Sequence, residues 1–486
     1  MSRLSSHFAG RTLVIVSYPH AWPESLMFGL FTPSCPLPTA EKTWVESRML
    51  WFAERFGINR IRDARVILPT DEFFPDPYTA DYPSVRLCLD RICGYMNVDP
   101  RVIALNILPD EAMPNAAGWY QMRARANICI AESQLGDPTR LMATLAHEVA
   151  HEILLRGGHL TGEEPDHEQV TDLLPMFLGI GIFGANATIR DSSGWAGNAS
   201  WWSISHQGYL SSFVLGYALA LFAFVREERW PYWRTYLRPD ARGTFEKGLR
   251  FLQKTEDSLF TPESVGSPRP SPSTASVLDR LTHISPTFRV AGLWDIIANK
   301  LHDPRLLEPV VSCLSHRDID VRTEAAWAMS VFGESARVAV PQLVALLNDE
   351  IGGASAPASY TLGKLRTEPK LVVPELAHLL GDLNNTPWEI IDALAAYRNE
   401  AQAAVPKLLE SLEIAAGRSS DLGTPIARAL WAICPDPKRA VREHIGERDP
   451  DLLRLALREL TNTEDGSPGQ EPNTNRGTIP LPRPHR

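Results

Sequence analysis

"TLAHEVAHEILL", residues 144–155, sets two histidines four positions apart in an apolar run and puts a glutamate directly after the first. Just upstream, Asp137 can cap a helix and Pro138 suits its first turn, where the missing N–H would have had no partner. Gly157 and Gly158 supply a stop, so the sequence predicts one helix with the motif in its middle. On that helix His147 and His151 fall one turn apart on the same face and can reach one ion, while Glu148 lies beside them within reach of a water. Leu141, Leu145, Val149 and Ile153 form a neighbouring apolar stripe that anchors the helix in a core. The competing reading is three polar residues on a half-buried helix, the histidines satisfied by ordinary hydrogen bonds.

A second pair shifts the balance. Seventeen residues after His151 comes "EQVTD", in which Glu168 and Asp172 are again four apart and share one face of a second helix. HExxH followed by ExxxD resembles the gluzincin metallopeptidases, with a shorter interval here than in the best-known members. The resemblance implies an α+β, zincin-like metallopeptidase domain that is mostly helical. It further implies Zn2+ held by His147, His151 and Glu168, with Asp172 orienting a ligand histidine. Other groups near the motif are chemically able to be the third ligand: His159, Glu163, Glu164, Asp166 and His167. The metzincin pattern would need Gly at 154 and His at 157, where this chain has Leu154 and Gly157.

Such a site would hydrolyse peptide bonds. Zinc polarises the carbonyl and acidifies water, and Glu148 is the general base that takes the proton and passes it to the leaving amine. "SISHQGYLSSFVLGYA" offers His206 and Tyr209 as donors to the oxyanion, and Tyr209 is taken as the catalytic candidate. Upstream, "GWYQMRARANICIAES" (118–133) reads as a turn and then a strand, Ile128 to Glu132. Zincin domains are similar in having an edge strand along the cleft, where a peptide substrate adds as another strand.

The C-terminal part has a period. "LEPVVSCL", "AVPQLVALL", "VVPELAHLL" and "AVPKLLESL" place Pro309, Pro341, Pro374 and Pro406 at intervals of 32, 33 and 32 residues. Each proline opens an amphipathic run in the first turn of a helix, and patterns such as "VRTEAAWAMSVFG" and "WEIIDALAAYR" supply a second helix per unit. This resembles the HEAT-like repeats (PBS-lyase type), which implies an all-α solenoid with a surface for a protein partner. The expected organisation is a metallopeptidase-like domain at 11–260, a Pro/Ser-rich linker at 261–277, a HEAT-like domain at 278–461 that folds by itself, and a disordered tail at 462–486.

Composition narrows the partners. At 486 residues, 44% hydrophobic and 22% charged, the chain has the makeup of a folded protein of several domains. A net charge of −10 argues against a surface that grips phosphates, so no nucleic acid partner is expected. Six cysteines without a CxxC pair suit a reducing cytoplasm. The apolar run from Leu13 to Ser17 is too short for a signal-peptide core. Two longer apolar stretches, 173–189 and 210–225, are at or below the lower limit for a membrane span and read as buried helices. Two alternatives to a cytoplasmic zinc peptidase stay open: a zinc-binding, HEAT-containing scaffold without activity, and a membrane-associated metalloprotease.

Overall fold

The computed structural model describes residues 33–464 apart from 115, 188, 197–198, 207–208, 256, 261–271, 350–352, 382–387, 419 and 447. The expected beginning of the first domain at 11–32, most of the expected linker and nearly all of the expected tail lie outside the described residues. The described residues are mostly helical, with a small three-stranded sheet and one hairpin.

The N-terminal half is built on α1 (Thr39–Phe56), which is buried around its circumference. Trp44, Val45, Met49 and Phe52 are wholly enclosed, and so are the polar Lys42, Glu46 and Arg48. A helix covered on all sides stands in the middle of a core, and its charged side chains must all find partners there. Around it lie α2 (Tyr82–Met96), α3 (Pro138–His151), α4 (His167–Phe177), α5 (Gly181–Ala187), α6 (Ser212–Val225) and α7 (Pro239–Thr255). α6 is buried along almost its whole length, and α7 comes so close that a Cβ at Gly216 would lie 2.5 Å from the Ala241 carbonyl oxygen. Of the long apolar stretches, 173–189 folds into the end of α4 and α5, and 210–225 into α6. Among the described residues no helix is long and apolar enough to cross a membrane.

The sheet consists of β1 (Ile103–Leu108), β2 (Gly118–Gln121) and β3 (Ala126–Ala131) in the order β1-β3-β2. β3 pairs parallel with β1 and antiparallel with β2. The strand expected at Ile128–Glu132 runs from Ala126 to Ala131 and is the central one; the edges are β1 and β2. The reason is visible in β3 itself: Ala126, Ile128, Cys129, Ile130 and Ala131 are all buried, the continuous apolar run of a strand covered on both faces. A hairpin of β4 (Ile189–Ala196) and β5 (Ala199–His206) separates α5 from α6.

The C-terminal half is a row of helix pairs: α8 (Thr274–Thr282) with α9 (Pro286–Asn299), α10 (Leu307–Cys313) with α11 (Ile319–Met329), and α12 (Val340–Leu347) with α13 (Ser355–Leu365). They continue as α14 (Pro369–His378) with α15 (Trp388–Tyr397), α16 (Val405–Arg418) with α17 (Gly423–Ile433), and α18 (Pro437–Ile445) with α19 (Pro450–Glu464). The second helix of each pair packs on the next, making one continuous layer from α9 to α19. α8 begins at Thr274, inside the stretch read as linker, because Ser273 and Ser276 form a reciprocal cap at its start. Pro309, Pro341 and Pro406 fall in first turns, as the period predicts, whereas Pro374 lies inside α14. There the turn before the periodic proline is already α-helical and opens with Pro369; the other three follow 3₁₀ turns.

The two halves share their core. One hydrophobic cluster runs from Leu37 to Leu460, and α1 packs on α9 and α11.

Candidate metal centre

α3 starts as the sequence predicts, with the Asp137 carboxylate accepting from the Arg140 N–H and Pro138 in its first turn. Its end differs. The α-helix stops at His151, the last residue of the motif, and continues as a π-helical turn, Glu152–Arg156. The His159 and Leu160 N–H groups both reach the Leu154 carbonyl, at 2.9 and 3.0 Å. The motif therefore closes the α-helical part, α3, of a rod that continues to Arg156. Wider turns of this kind are frequent next to functional groups because they redirect the following side chains. Here Glu152 is turned toward β2, where Tyr120 Oη donates to its Oε2 at 2.6 Å and Arg156 pairs with it at 2.7 Å.

α4 crosses α3 at the motif. Glu168 Oε2 lies 3.2 Å from His147 Nε2 and 3.4 Å from His151 Nε2, and the three ligand atoms are all within 4.8 Å of one another. Oε2 is buried and makes no hydrogen bond, and the same holds for Oε2 of Glu148. Ligands about 2.05 Å from a tetrahedral zinc stand about 3.3 Å from each other, which is the spacing of Glu168 Oε2 from each of the two imidazoles. The donor set could hold a metal ion, and the orphaned carboxylate oxygen is what an ion between these groups would satisfy.

The far side of each ligand is also held. His147 Nδ1 donates to Asp172 Oδ1 at 2.7 Å; the carboxylate can only accept, so Nδ1 carries a proton, and the neutral ring would present the Nε2 lone pair to an ion. Asp172 Oδ2 takes the backbone N–H groups of Tyr209 and Leu210, at 2.6 and 3.2 Å, tying the loop before α6 to the site. Thr171 gives its hydroxyl proton to the His167 carbonyl and turns its lone pairs toward His151 Nδ1, 3.4 Å away. The Tyr120 ring stacks on His151 with centroids 5.7 Å apart.

The electrostatics follow from burial and crowding. Glu148 is 4% exposed, and burial, with Glu168 and Asp172 nearby, pushes its carboxyl up to about 7 against the pull of His147. For Glu168, burial works upward but the two imidazoles outweigh it and hold the carboxyl well below its usual range. Burial disfavours the His147 cation, yet Asp172 and Glu168 raise its pKa; His151 is lowered, chiefly by burial.

The structure thus brings together His147, Glu148, His151, Glu168 and Asp172. Tyr209 stands at the mouth, 58% exposed, its ring stacked on His147 at 6.0 Å and its phenol pushed up to about 12 by desolvation and the site's carboxylates. His206 is on β5, and its side chain lies outside the described residues. Three of the alternative third ligands have other partners. Asp166 is buried against Arg48, His167 Nε2 lies 3.1 Å from Glu168 Oε1, and His159 packs edge-on against Phe56. A cleft of about 610 Å³ opens beside the site, lined by Gly118, Ala143, Thr144, Met176, Leu215 and Tyr209 among others.

Sequence reasoning missed Tyr120, Glu152 and Arg48. No linear spacing pairs 120 with 152 or 48 with 166, and Arg48 stands in a segment with several other charges, so nothing in the sequence marked it as buried. No protein-family model matches the chain, and no curated protein matches it in sequence.

Proposed function

We propose that the chain is a Zn2+-dependent metallopeptidase that hydrolyses peptide bonds of a protein or peptide substrate. Its N-terminal half is read as a zincin-like, gluzincin-type catalytic domain and its C-terminal helices as a HEAT-like array that receives a protein partner or the substrate. The observation that carries the reading is the meeting of His147, His151 and Glu168 around one point, with the buried, unpaired carboxylate oxygen of Glu148 beside it.

A zinc ion held there supplies Lewis acidity at the scissile carbonyl and makes water a nucleophile near neutral pH. Glu148 accepts the proton of the attacking water and hands it to the leaving amine, a role that needs an enclosed carboxylate with no competing hydrogen bond. Asp172 keeps His147 in the tautomer that presents Nε2 inward. Tyr209 offers its phenol to the developing oxyanion from the mouth of the cleft. Among the described residues β2 pairs on one side only and its Gly118 lines the cleft, so an extended peptide would add along β2 by main-chain hydrogen bonds and place a side chain in the 610 Å³ cleft next to the cleaved bond.

The test combines metal analysis with a cleavage screen on unfolded proteins and peptides. The parent is expected to carry one zinc per chain, and His151→Ala to lose it. Glu148→Gln should keep the metal and the fold while hydrolysis drops by about 10²–10⁴-fold. A parent that purifies metal-free and refuses added zinc overturns the reading; cleavage that survives Glu148→Gln removes the assigned base.

A further inference from the structure

The third ligand lies at the start of α4, and what holds that start is a buried contact from α1. Arg48 Nε and Nη2 donate to Asp166 Oδ2 and Oδ1 at 2.8 and 2.7 Å, and Trp44 Nε1 adds a bond to Oδ2 at 2.9 Å. Arg48 is 2% exposed and Asp166 1%. Asp166 occupies the N-cap position of α4, yet its carboxylate caps nothing: it is turned wholly to α1, while its carbonyl accepts the first turn's bond from Val170. Glu168 follows two residues later. The clamp therefore fixes where α4 begins, and with it where the Glu168 carboxylate points.

The same helix holds the C-terminal half with its other face. Lys42 and Glu46 are one turn apart, as are Trp44 and Arg48, and at about 100° per residue the two pairs look in nearly opposite directions. Lys42 Nζ donates to Thr287 at the start of α9 at 2.9 Å and pairs with Glu46 at 3.1 Å and Asp257 at 3.6 Å. Glu46 also accepts from Tyr217 on α6 and from the Leu259 N–H, both at 2.7 Å. At the helix N-terminus, Thr39 donates to Asp318 at 2.6 Å and the Ala40 N–H to Asp320 at 3.0 Å. Both carboxylates belong to the start of α11; α1, which has no side-chain cap of its own, is capped by the C-terminal half.

We propose that Arg48 is a positioning residue for the Glu168 ligand and that α1 is a rigid tie through which the C-terminal helices hold the metal centre. The inference rests on the metal-site reading above. It makes the helix row a structural part of the site, in place of a separately folding appendage.

The experiment titrates Zn2+ against a chromophoric chelator with the full chain. Arg48→Lys keeps the charge and loses the fork that grips both carboxylate oxygens, and should weaken zinc binding about tenfold, the lower end of what a group supporting a ligand contributes. Asp320→Asn, a partly exposed change on the far side of the joint, should weaken it in the same direction by about half that factor on a logarithmic scale; it serves where Arg48→Lys folds poorly. Leu249→Ala on α7 is the control, since it costs core stability and touches neither contact. Unchanged affinity in both Arg48→Lys and Asp320→Asn, or an equal loss in Leu249→Ala, overturns the inference while leaving the site itself standing. A parent that binds no zinc, or binds it without His151, overturns the reading beneath it.

Discussion

Gly118→Ala on β2 is the most exacting test of the site's geometry, because a methyl group there has nowhere to go. A Cβ at 118 would lie 2.4 Å from Glu148 Oε1, 2.5 Å from Thr144 Cγ2 and 3.1 Å from Glu148 Cδ. Non-bonded heavy atoms settle at about 3.5 Å, so strand and helix must part by about 1 Å. Thr144 and Glu148 are one turn apart on α3, and both meet the new methyl, so a change of rotamer at one leaves the other in collision. A displacement of that size between a base and its water costs about 100-fold in rate, or about 2.7 kcal/mol of transition-state stabilisation. His147, His151 and Glu168 are not among the atoms the methyl meets, so zinc content should not change. The assay is kcat/KM per bound zinc on a peptide that the parent cleaves, with thermal melting alongside; overpacking should take about 1–3 kcal/mol from stability. Gly136→Ala, whose Cβ would meet nothing within 4 Å, should behave as the parent does. Full activity per zinc in Gly118→Ala would refute the argument that Glu148 acts from the position seen here.

Asp172→Ala should weaken zinc binding by about 10–100-fold in the chelator titration, because it leaves His147 Nδ1 and two backbone N–H groups without their acceptor. Tyr209→Phe should lower kcat by about tenfold or more with zinc affinity unchanged, as expected of a donor used only in the transition state; equal loss of affinity would make the tyrosine a packing group over His147. Far from the site, burial pushes the Glu324 carboxyl up to about 8 from 4.5, and burial likewise raises Asp320 and Glu41 at the joint. The folded chain then holds protons that the unfolded chain releases, so stability should fall as pH rises from about 5 to 8, and Glu324→Gln should flatten that fall in melting curves.

How much of this was legible in the chain depends on the range of the interaction. Local signals read true: Asp137 and Pro138 start α3, and the proline period sets out the helix pairs, because caps and first turns depend on neighbouring residues. The pairing of HExxH with ExxxD singled out five side chains that the structure places together, since a helix turn fixes which residues share a face. The strand order did not read, because pairing partners are chosen across the chain. β3 looked like an edge from its position before the motif and is central because both its faces are covered. Pro374 shows the limit of a period, which marks a recurring place in the unit without saying how the backbone before it is wound.

What could not be read at all is the polar wiring inside the core. Lys42, Glu46 and Arg48 stand in an 18-residue helix whose other buried members include Trp44, Met49 and Phe52, and a pattern of apolar positions assigns the three charges to a solvated face. They are buried because each meets a group more than a hundred residues away: Thr287, Tyr217 and Asp166. An unpaired charge in that setting would cost several kcal/mol, so these contacts must form together or the helix cannot enter the core. That requirement bears on the expected division at 261–277. A cut there would leave Lys42 and the α1 N-terminus without Thr287, Asp318 and Asp320, and an N-terminal fragment should melt well below the full chain unless the C-terminal fragment is added back.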